Sequence, residues 1–241
     1  MKAIAVIPAR FAATRFPGKL MQDLGGRTVI ARTYENTVST GLFNEVWIAT
    51  DSEVIQREIT DLGGKAFMSR RHHESGSDRI AEAVESMDVD VVVNVQGDEP
   101  FVPREPLAGL LRAFDDESVP VASLMHRIPD AEEAVNPNIV KVVTNRHGDA
   151  LYFSRSVIPY HRDEASVAVC FRHIGVYGFR KRALLAFTKW PMGSLESAEK
   201  LEQLRYLENG VRIRMVETDF KGIGIDTPED LLRAREWLAG H

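Results

Sequence analysis

A single cysteine, Cys170, is present among 241 residues. Without a second thiol no internal disulfide can form, so packing and hydrogen bonds must hold the fold, and a reducing compartment is expected. Cys170 lies between Val169 and Phe171 and reads as a buried apolar filler. Long apolar runs are missing too; no stretch approaches the ~20 residues of a membrane span. The opening residues carry one lysine and a short apolar run, which Pro8-Ala9-Arg10 interrupts too early for a signal peptide. A cytoplasmic location is therefore expected, with no membrane partner. Positive charge is not in excess either: 30 Lys and Arg against 35 Asp and Glu leave a net charge of -5. That excludes a chain built to coat nucleic acid. Repeats, low-complexity tracts and long linkers are absent, and the length suits one domain with an ample core.

What is present is an alternation. Residues 3–7, 45–50 and 89–95 are short, β-branched and bounded by Gly, Pro or Asp, as strands are. The run 89–95 is almost continuously apolar, as a parallel strand covered on both faces requires. Between them, 28–40, 52–62 and 77–87 carry helical periodicity, with Gly41 and Gly63-Gly64 as stops. Strand–helix alternation implies an α/β fold, a doubly wound and mostly parallel sheet that binds ligands beyond the carboxyl ends of its strands. The second half is less regular. Strands are expected at 140–143, 151–153, 174–179 and 212–216, and helices at 184–189 and 197–208. A last helix opens at Thr227-Pro228-Glu229-Asp230, with a capping threonine, proline in the first turn and acids beside it.

The segment 8–19 leaves the first strand at the ligand edge. Arg10, Arg15 and Lys19 place three cations there, and Ala9, Ala12, Ala13 and Gly18 let backbone N–H groups approach an anion closely. It is not a Walker A loop, because Ala13 stands where the first glycine belongs and Leu20 where Ser or Thr belongs. Nor is it a dinucleotide fingerprint, lacking the glycine triplet. Charge clustering alone does not separate this loop from a solvated basic one. Two acids stand at other strand ends. Gln96-Gly97-Asp98-Glu99-Pro100 closes the most apolar strand, and Gly224-Ile225-Asp226 leads into the last helix. Each alone is also an ordinary turn or cap residue; as a pair at strand ends they suit a hard cation such as Mg²⁺.

Taken in order, 7–19, 49–51, 74–79, 94–100, 136–143, 152–159, 172–179, 201–205 and 224–230 resemble the 3-deoxy-D-manno-octulosonate (Kdo) cytidylyltransferases, or CMP-Kdo synthetases, along nearly the whole chain. The family has Gln where this chain has Glu74 and Thr-Glu where it has Ser77-Asp78, and many members carry a longer segment than 161–171 here. The resemblance implies a nucleotide-diphospho-sugar transferase-like fold, one domain over 1–241. Its parts would be a nucleotide-binding half at 1–135, an inserted dimerisation region at 136–192, and a sugar- and metal-binding end at 193–241. It implies that CTP and Kdo give CMP-Kdo and pyrophosphate for lipopolysaccharide assembly, in a homodimer. Arg10, Arg15 and Lys19 would hold the triphosphate, with Pro8 and Ala9 at the same loop, and Ser75, Gly76 and Gln96 would lie on the nucleotide. Asp98 and Asp226 would bind Mg²⁺. Arg155, His173, Tyr177, Glu202 and Gln203 would contact the sugar acid, with Arg79 a further candidate for that pocket.

Other readings remain open on the residues alone. Tyr177 and His173 also fit a packed core, and Glu202 with Arg205 a surface helix pair. The nearest rival within the same class takes an 8-amino-Kdo, a sialic acid or an alcohol phosphate as acceptor. A sugar-nucleotide glycosyltransferase would carry an Asp-x-Asp motif at a strand's carboxyl end; Asp88-Val89-Asp90 has that spacing but precedes 91–96 and so lies at the wrong end of the sheet. A nucleotide-sensing regulator would have lost a metal carboxylate or a triphosphate cation, and neither is missing.

Overall fold

The computed structural model describes residues 1–11, 16–73, 75–129, 131–160, 162, 169–222 and 224–240. The chain divides into two compact units, Met1–Leu107 with Gly222–His241, and Ala108–Lys221.

The first unit runs β1 (Ala3–Ala9), α1 (Val29–Ser39), β2 (Glu45–Thr50), α2 (Glu53–Asp61), β3 (Lys65–Met68), α3 (Gly76–Val84) and β4 (Val91–Asn94), and α4 (Arg104–Arg112) starts in it. Its strands lie in the order β3-β2-β1-β4, every pair parallel. Val6, Ile7, Ile48, Val92 and Val93 are fully buried, as parallel strands covered on both faces must be. The helices begin where capping side chains stand: Thr28 accepts from the Ala31 N–H, Ser52 from that of Ile55 and Ser75 from that of Asp78. Because the strands are parallel, Arg10, Asp51 and Gln96 all leave them at one edge. The four-residue β3 escapes the sequence patterns; it is short and only half-buried, so it shows no alternation.

The second unit holds β5 (Val121–Arg127), α5 (Ala131–Val135), β6 (Lys141–Thr144), β7 (Ala150–Ser154), β8 (Phe171–Arg180), α6 (Lys181–Phe187), α7 (Ser194–Glu199), α8 (Leu204–Glu208) and β9 (Ile213–Glu217). Here β5 pairs antiparallel with β8 and parallel with β9, and β6 pairs antiparallel with β7 and β8. The fold class is the expected one, α/β on mixed, mostly parallel strands.

Besides the unforeseen short helix α5, two features of this unit differ from the sequence reading. The strand between β8 and β9, β5, was not expected, since Ser123 and His126 interrupt its apolar run. Both polar groups are satisfied inside: Ser123 by β8, and His126 through Nδ1 at 2.9 Å from the Thr218 carbonyl. The single helix expected over 197–208 is two helices. Lys200 adopts a left-handed conformation (φ 55°) and ends α7, and its N–H bonds back to the Glu196 carbonyl. Arg205 then folds α8 against α7 through a buried pair with Glu196, two bonds of 2.6 Å each.

The chain re-enters the first unit with α9 (Pro228–Ala239). The Thr227 hydroxyl accepts from the Asp230 N–H, and the Asp230 carboxylate accepts from the Thr227 N–H, a reciprocal cap.

Candidate active site

In the first unit the structure brings together Lys19, Asp98 and Asp226. Lys19 opens a short 3-10 helix after Gly18, whose left-handed φ of 68° turns the chain back. Asp98 stands in the loop after β4, and that loop is held tightly. A Cβ at Gly97 would lie 3.0 Å from the Pro8 carbonyl oxygen, so a side chain there would press the loop away from β1. The Thr33 hydroxyl of α1 lies 2.9 Å from the Gly97 carbonyl. The Ile225 N–H donates to the Asp98 carbonyl at 2.9 Å, which docks the segment carrying Asp226 onto the same loop. The result is one ammonium shared by two carboxylates: Lys19 Nζ lies 2.5 Å from Asp98 Oδ2 and 2.9 Å from Asp226 Oδ1. Burial alone would lower the Lys19 pKa, but Asp98 and then Asp226 reverse this and leave it raised.

The donor set suits a divalent cation. Two carboxylate oxygens converge on one cationic point, and unpaired carboxylates ~4 Å apart would repel by roughly 1–4 kcal/mol. Hard oxygen donors with two protein carboxylates are what Mg²⁺ takes when phosphates and water fill its remaining positions.

The other nucleotide candidates lie at the same strand edge. Gly76, the first residue of α3, is packed on β1: a Cβ there would meet Pro8 Cγ at 3.4 Å. Ser75 spends its hydroxyl on the cap of α3, lying 2.9 Å from the Asp78 carboxylate. Ala9 is buried, Gln96 half-buried and Arg10 exposed. Arg15 lies outside the described residues, as do Glu74 and most of 161–168. Arg79 belongs to this unit. It is fully buried and donates to Asp51 Oδ2 at 2.6 Å and Ser69 Oγ at 2.9 Å. Asp88-Val89-Asp90 is at the other edge, where Asp90 pairs with the backbone of Lys2 at the start of β1.

The remaining candidates lie in the second unit. Arg155 follows β7; its Nε donates to the Glu199 carbonyl and Nη1 to the Pro137 carbonyl, which commits two of its five N–H donors. The Glu199 carboxylate accepts from the Arg155 N–H and the Ser154 hydroxyl. Burial raises its pKa, but those hydrogen bonds outweigh burial and hold it below the usual range. Glu202 and Gln203 occupy the break between α7 and α8, Glu202 exposed and Gln203 buried. The rings of His173 and Tyr177 are 5.2 Å apart, and Phe153 packs edge-on to His173 at 5.2 Å. Burial, reinforced by Arg172, lowers the His173 pKa to about 3, so its imidazole is neutral. Burial, with Glu202 and Tyr206 adding to it, raises the Tyr177 phenol well above 10.

Sequence reasoning missed the residues that hold these groups. Glu199 ties Arg155 to the end of α7. Fully buried Lys141 donates to the carbonyls of Arg155, Ile139 and Asn136. A lysine inside an apolar strand pattern was the available signal.

Asp98 follows β4 as expected, but among the described residues no strand leads into Asp226, which stands in the segment before α9. A parallel α/β unit with these two carboxylates around a lysine suits nucleotidyl transfer, and residues 4–213 match the cytidylyltransferase family model. A 3-deoxy-manno-octulosonate cytidylyltransferase from Flavobacterium johnsoniae is 62% identical over 99% of both chains. Its counterpart from Christiangramia forsetii is 55% identical over 99% of this chain and 97% of its own. A solved CMP:2-keto-3-deoxy-manno-octonic acid synthetase complexed with CTP superposes with a TM-score of 0.95, at 42% identity over 100% of this chain and 99% of that one. This chain belongs to the Kdo cytidylyltransferase (CMP-Kdo synthetase) family.

Proposed function

We propose that the protein transfers CMP from CTP to the anomeric hydroxyl of 3-deoxy-D-manno-octulosonate, releasing pyrophosphate. The observation that carries this reading is the convergence of Asp98 and Asp226 on the Lys19 ammonium, at 2.5 and 2.9 Å, in a chain of this family. In the reaction the anomeric oxygen bonds to the α-phosphorus in line, the bond from that phosphorus to the β-phosphate bridge breaks, and the hydroxyl proton leaves to solvent. Catalysis of such a step comes from positioning and charge neutralisation. Lys19, Arg10 and Arg15 hold the triphosphate and stabilise the leaving pyrophosphate. Asp98 and Asp226 hold Mg²⁺, which supplies charge neutralisation on phosphate and a lowered pKa for the attacking hydroxyl. Pro8, Ala9, Ser75, Gly76 and Gln96 lie along the nucleotide.

For the sugar acid, the planar fork of Arg155 suits the carboxylate. Glu202, Gln203, neutral His173 and the un-ionised Tyr177 phenol suit hydroxyls. Arg79 takes no part in that reading beyond bracing Asp51 and Ser69, since its guanidinium is fully buried on them. The family places the product in lipopolysaccharide assembly. A homodimer through 136–192 accords with the exposed Leu151, Val157, Tyr160, Val169 and Met192 of that region, and light scattering on the eluting protein tests it. Among the described residues no helix is long and apolar enough to cross a membrane.

The deciding experiment measures pyrophosphate release with CTP and Mg²⁺ against Kdo, 8-amino-Kdo and a sialic acid. Preference for Kdo is expected, and loss of turnover in Asp98→Ala and Asp226→Ala at saturating Mg²⁺. Near-normal turnover in those variants would sink the metal assignment, and preference for another acid the acceptor assignment.

A further inference from the structure

The ladder between β5 and β8 is broken at one place. Ser123 pairs with Tyr177 and its neighbour Leu124 with Ile174, so Gly175 and Val176 are extra residues in β8. A bulge of this kind takes backbone groups out of the ladder, and they need partners from elsewhere. Ser123, fully buried, stands against the bulge: its Oγ lies 2.9 Å from the Val176 carbonyl and 3.2 Å from that of Ile174. The same oxygen lies 2.9 Å from His173 Nε2.

These three contacts determine where the imidazole proton sits. Carbonyl oxygens only accept, and a serine hydroxyl has one hydrogen to give. That hydrogen goes to the bulge, so Oγ must accept from His173, and Nε2 carries the proton. The opposite tautomer would turn the hydroxyl towards a bare Nε2 and away from the Val176 and Ile174 carbonyls that lie beside it. With Nε2–H committed, Nδ1 keeps its lone pair, and among the described residues nothing bonds to it. The Phe153 and Tyr177 rings each pack against the imidazole at 5.2 Å, so the lone pair has a set direction. A neutral lone pair accepts from a hydroxyl and repels a carboxylate.

We propose that Ser123 is a positioning residue for the transfer reaction: by fixing His173 as the Nε2–H tautomer it presents Nδ1 as the acceptor for one hydroxyl of the sugar acid. The inference rests on the reading that His173 meets the sugar acid. It assigns Ser123 a specificity role, since an acceptor at this place favours sugar acids with a hydroxyl there over those with a carboxylate or a hydrogen.

The test combines ¹⁵N imidazole spectra of the full chain with steady-state kinetics. Wild type should show a protonated Nε2 and a bare Nδ1 for His173. Ser123→Ala should disturb that pattern and raise KM for the sugar acid about tenfold, the worth of roughly one hydrogen bond, with KM for CTP unchanged. Ser123→Thr, which keeps the hydroxyl, should restore both. A wild-type His173 protonated on Nδ1 overturns the proposal without any variant. So does Ser123→Ala with wild-type spectrum and KM while His173→Ala raises KM. If His173→Ala itself leaves KM for the sugar acid unchanged, the underlying reading of His173 has failed, and the proposal with it.

Discussion

Replacing Arg205 by methionine should destabilise the protein by about 3–5 kcal/mol, because it strands a buried carboxylate. The Arg205 guanidinium meets Glu196 through two bonds of 2.6 Å, and the two side chains are 10% and 4% exposed. It also lies 4.1 Å over the Phe187 ring, a contact that the methionine stem keeps in large part. The loss is therefore electrostatic rather than a cavity. Methionine at both positions removes the stranded charge and the pair together, and such exchanges are near neutral or stabilising. Urea unfolding followed by tryptophan fluorescence reads the effect, with Trp190 packed edge-on to Tyr206 at 6.0 Å as a local reporter. Expected is a large drop in the unfolding midpoint for Arg205→Met and for Glu196→Met, largely recovered in the double variant. The helices concerned have six and five residues, too short to persist alone, so the break that carries Glu202 and Gln203 depends on this pair. KM for the sugar acid should rise in the single variants accordingly. A single variant within ~1 kcal/mol of wild type, or a double variant as costly as the sum of its singles, would refute the reasoning.

Three further outcomes follow from the geometry. A Cβ at Gly178 would lie 2.5 Å from the Phe114 ring while one at Gly175 would meet nothing within 4 Å; Gly178→Ala should thus cost about 1–3 kcal/mol and Gly175→Ala far less, by urea midpoints. His173 has a folded pKa of about 3 against 6.5 when unfolded, so between those values the unfolded chain binds a proton that the folded one does not. Its effect is nil above that window, and stability falls as pH drops through it, by about 1.4 kcal/mol per pH unit; His173→Gln should flatten the acid limb of stability against pH, and an unchanged slope would count against burial of a neutral imidazole. Lys19→Met leaves Asp98 and Asp226 facing each other without their ammonium, so Mg²⁺ without nucleotide should raise its melting temperature more than that of wild type; equal shifts would show that the two acids do not share a cation.

Most elements of the first unit, though not β3 or α4, were legible because their signals are local. Thr28, Ser52 and Thr227 cap helices within three residues of themselves, and the apolar run at β4 announces a strand covered on both sides. In the second unit the local signal misled in two places. The run 197–208 has helix-forming composition throughout, yet one left-handed residue at Lys200 and one buried ion pair outweigh it. Residues 121–127 contain Ser123 and His126, which look like loop polarity until their partners on β8 and at Thr218 are known.

The loop at 8–19 shows the same division. Its small residues, its cations and its place after the first strand are properties of the sequence, and so are the acids at 98 and 226, since glycine and proline around them dictate turns. The sequence by itself determined the α/β class, the family and which residue types stand in the loop after β4 and the turn before α9. Only the tertiary structure decided that Lys19 lies between Asp98 and Asp226, residues 79 and 207 positions away along the chain, and that the Ser123 hydroxyl lies 2.9 Å from His173 Nε2. Propensity and capping act within a few residues. Ion pairs and buried hydrogen bonds join residues that are distant along the chain, and only packing sets their distances.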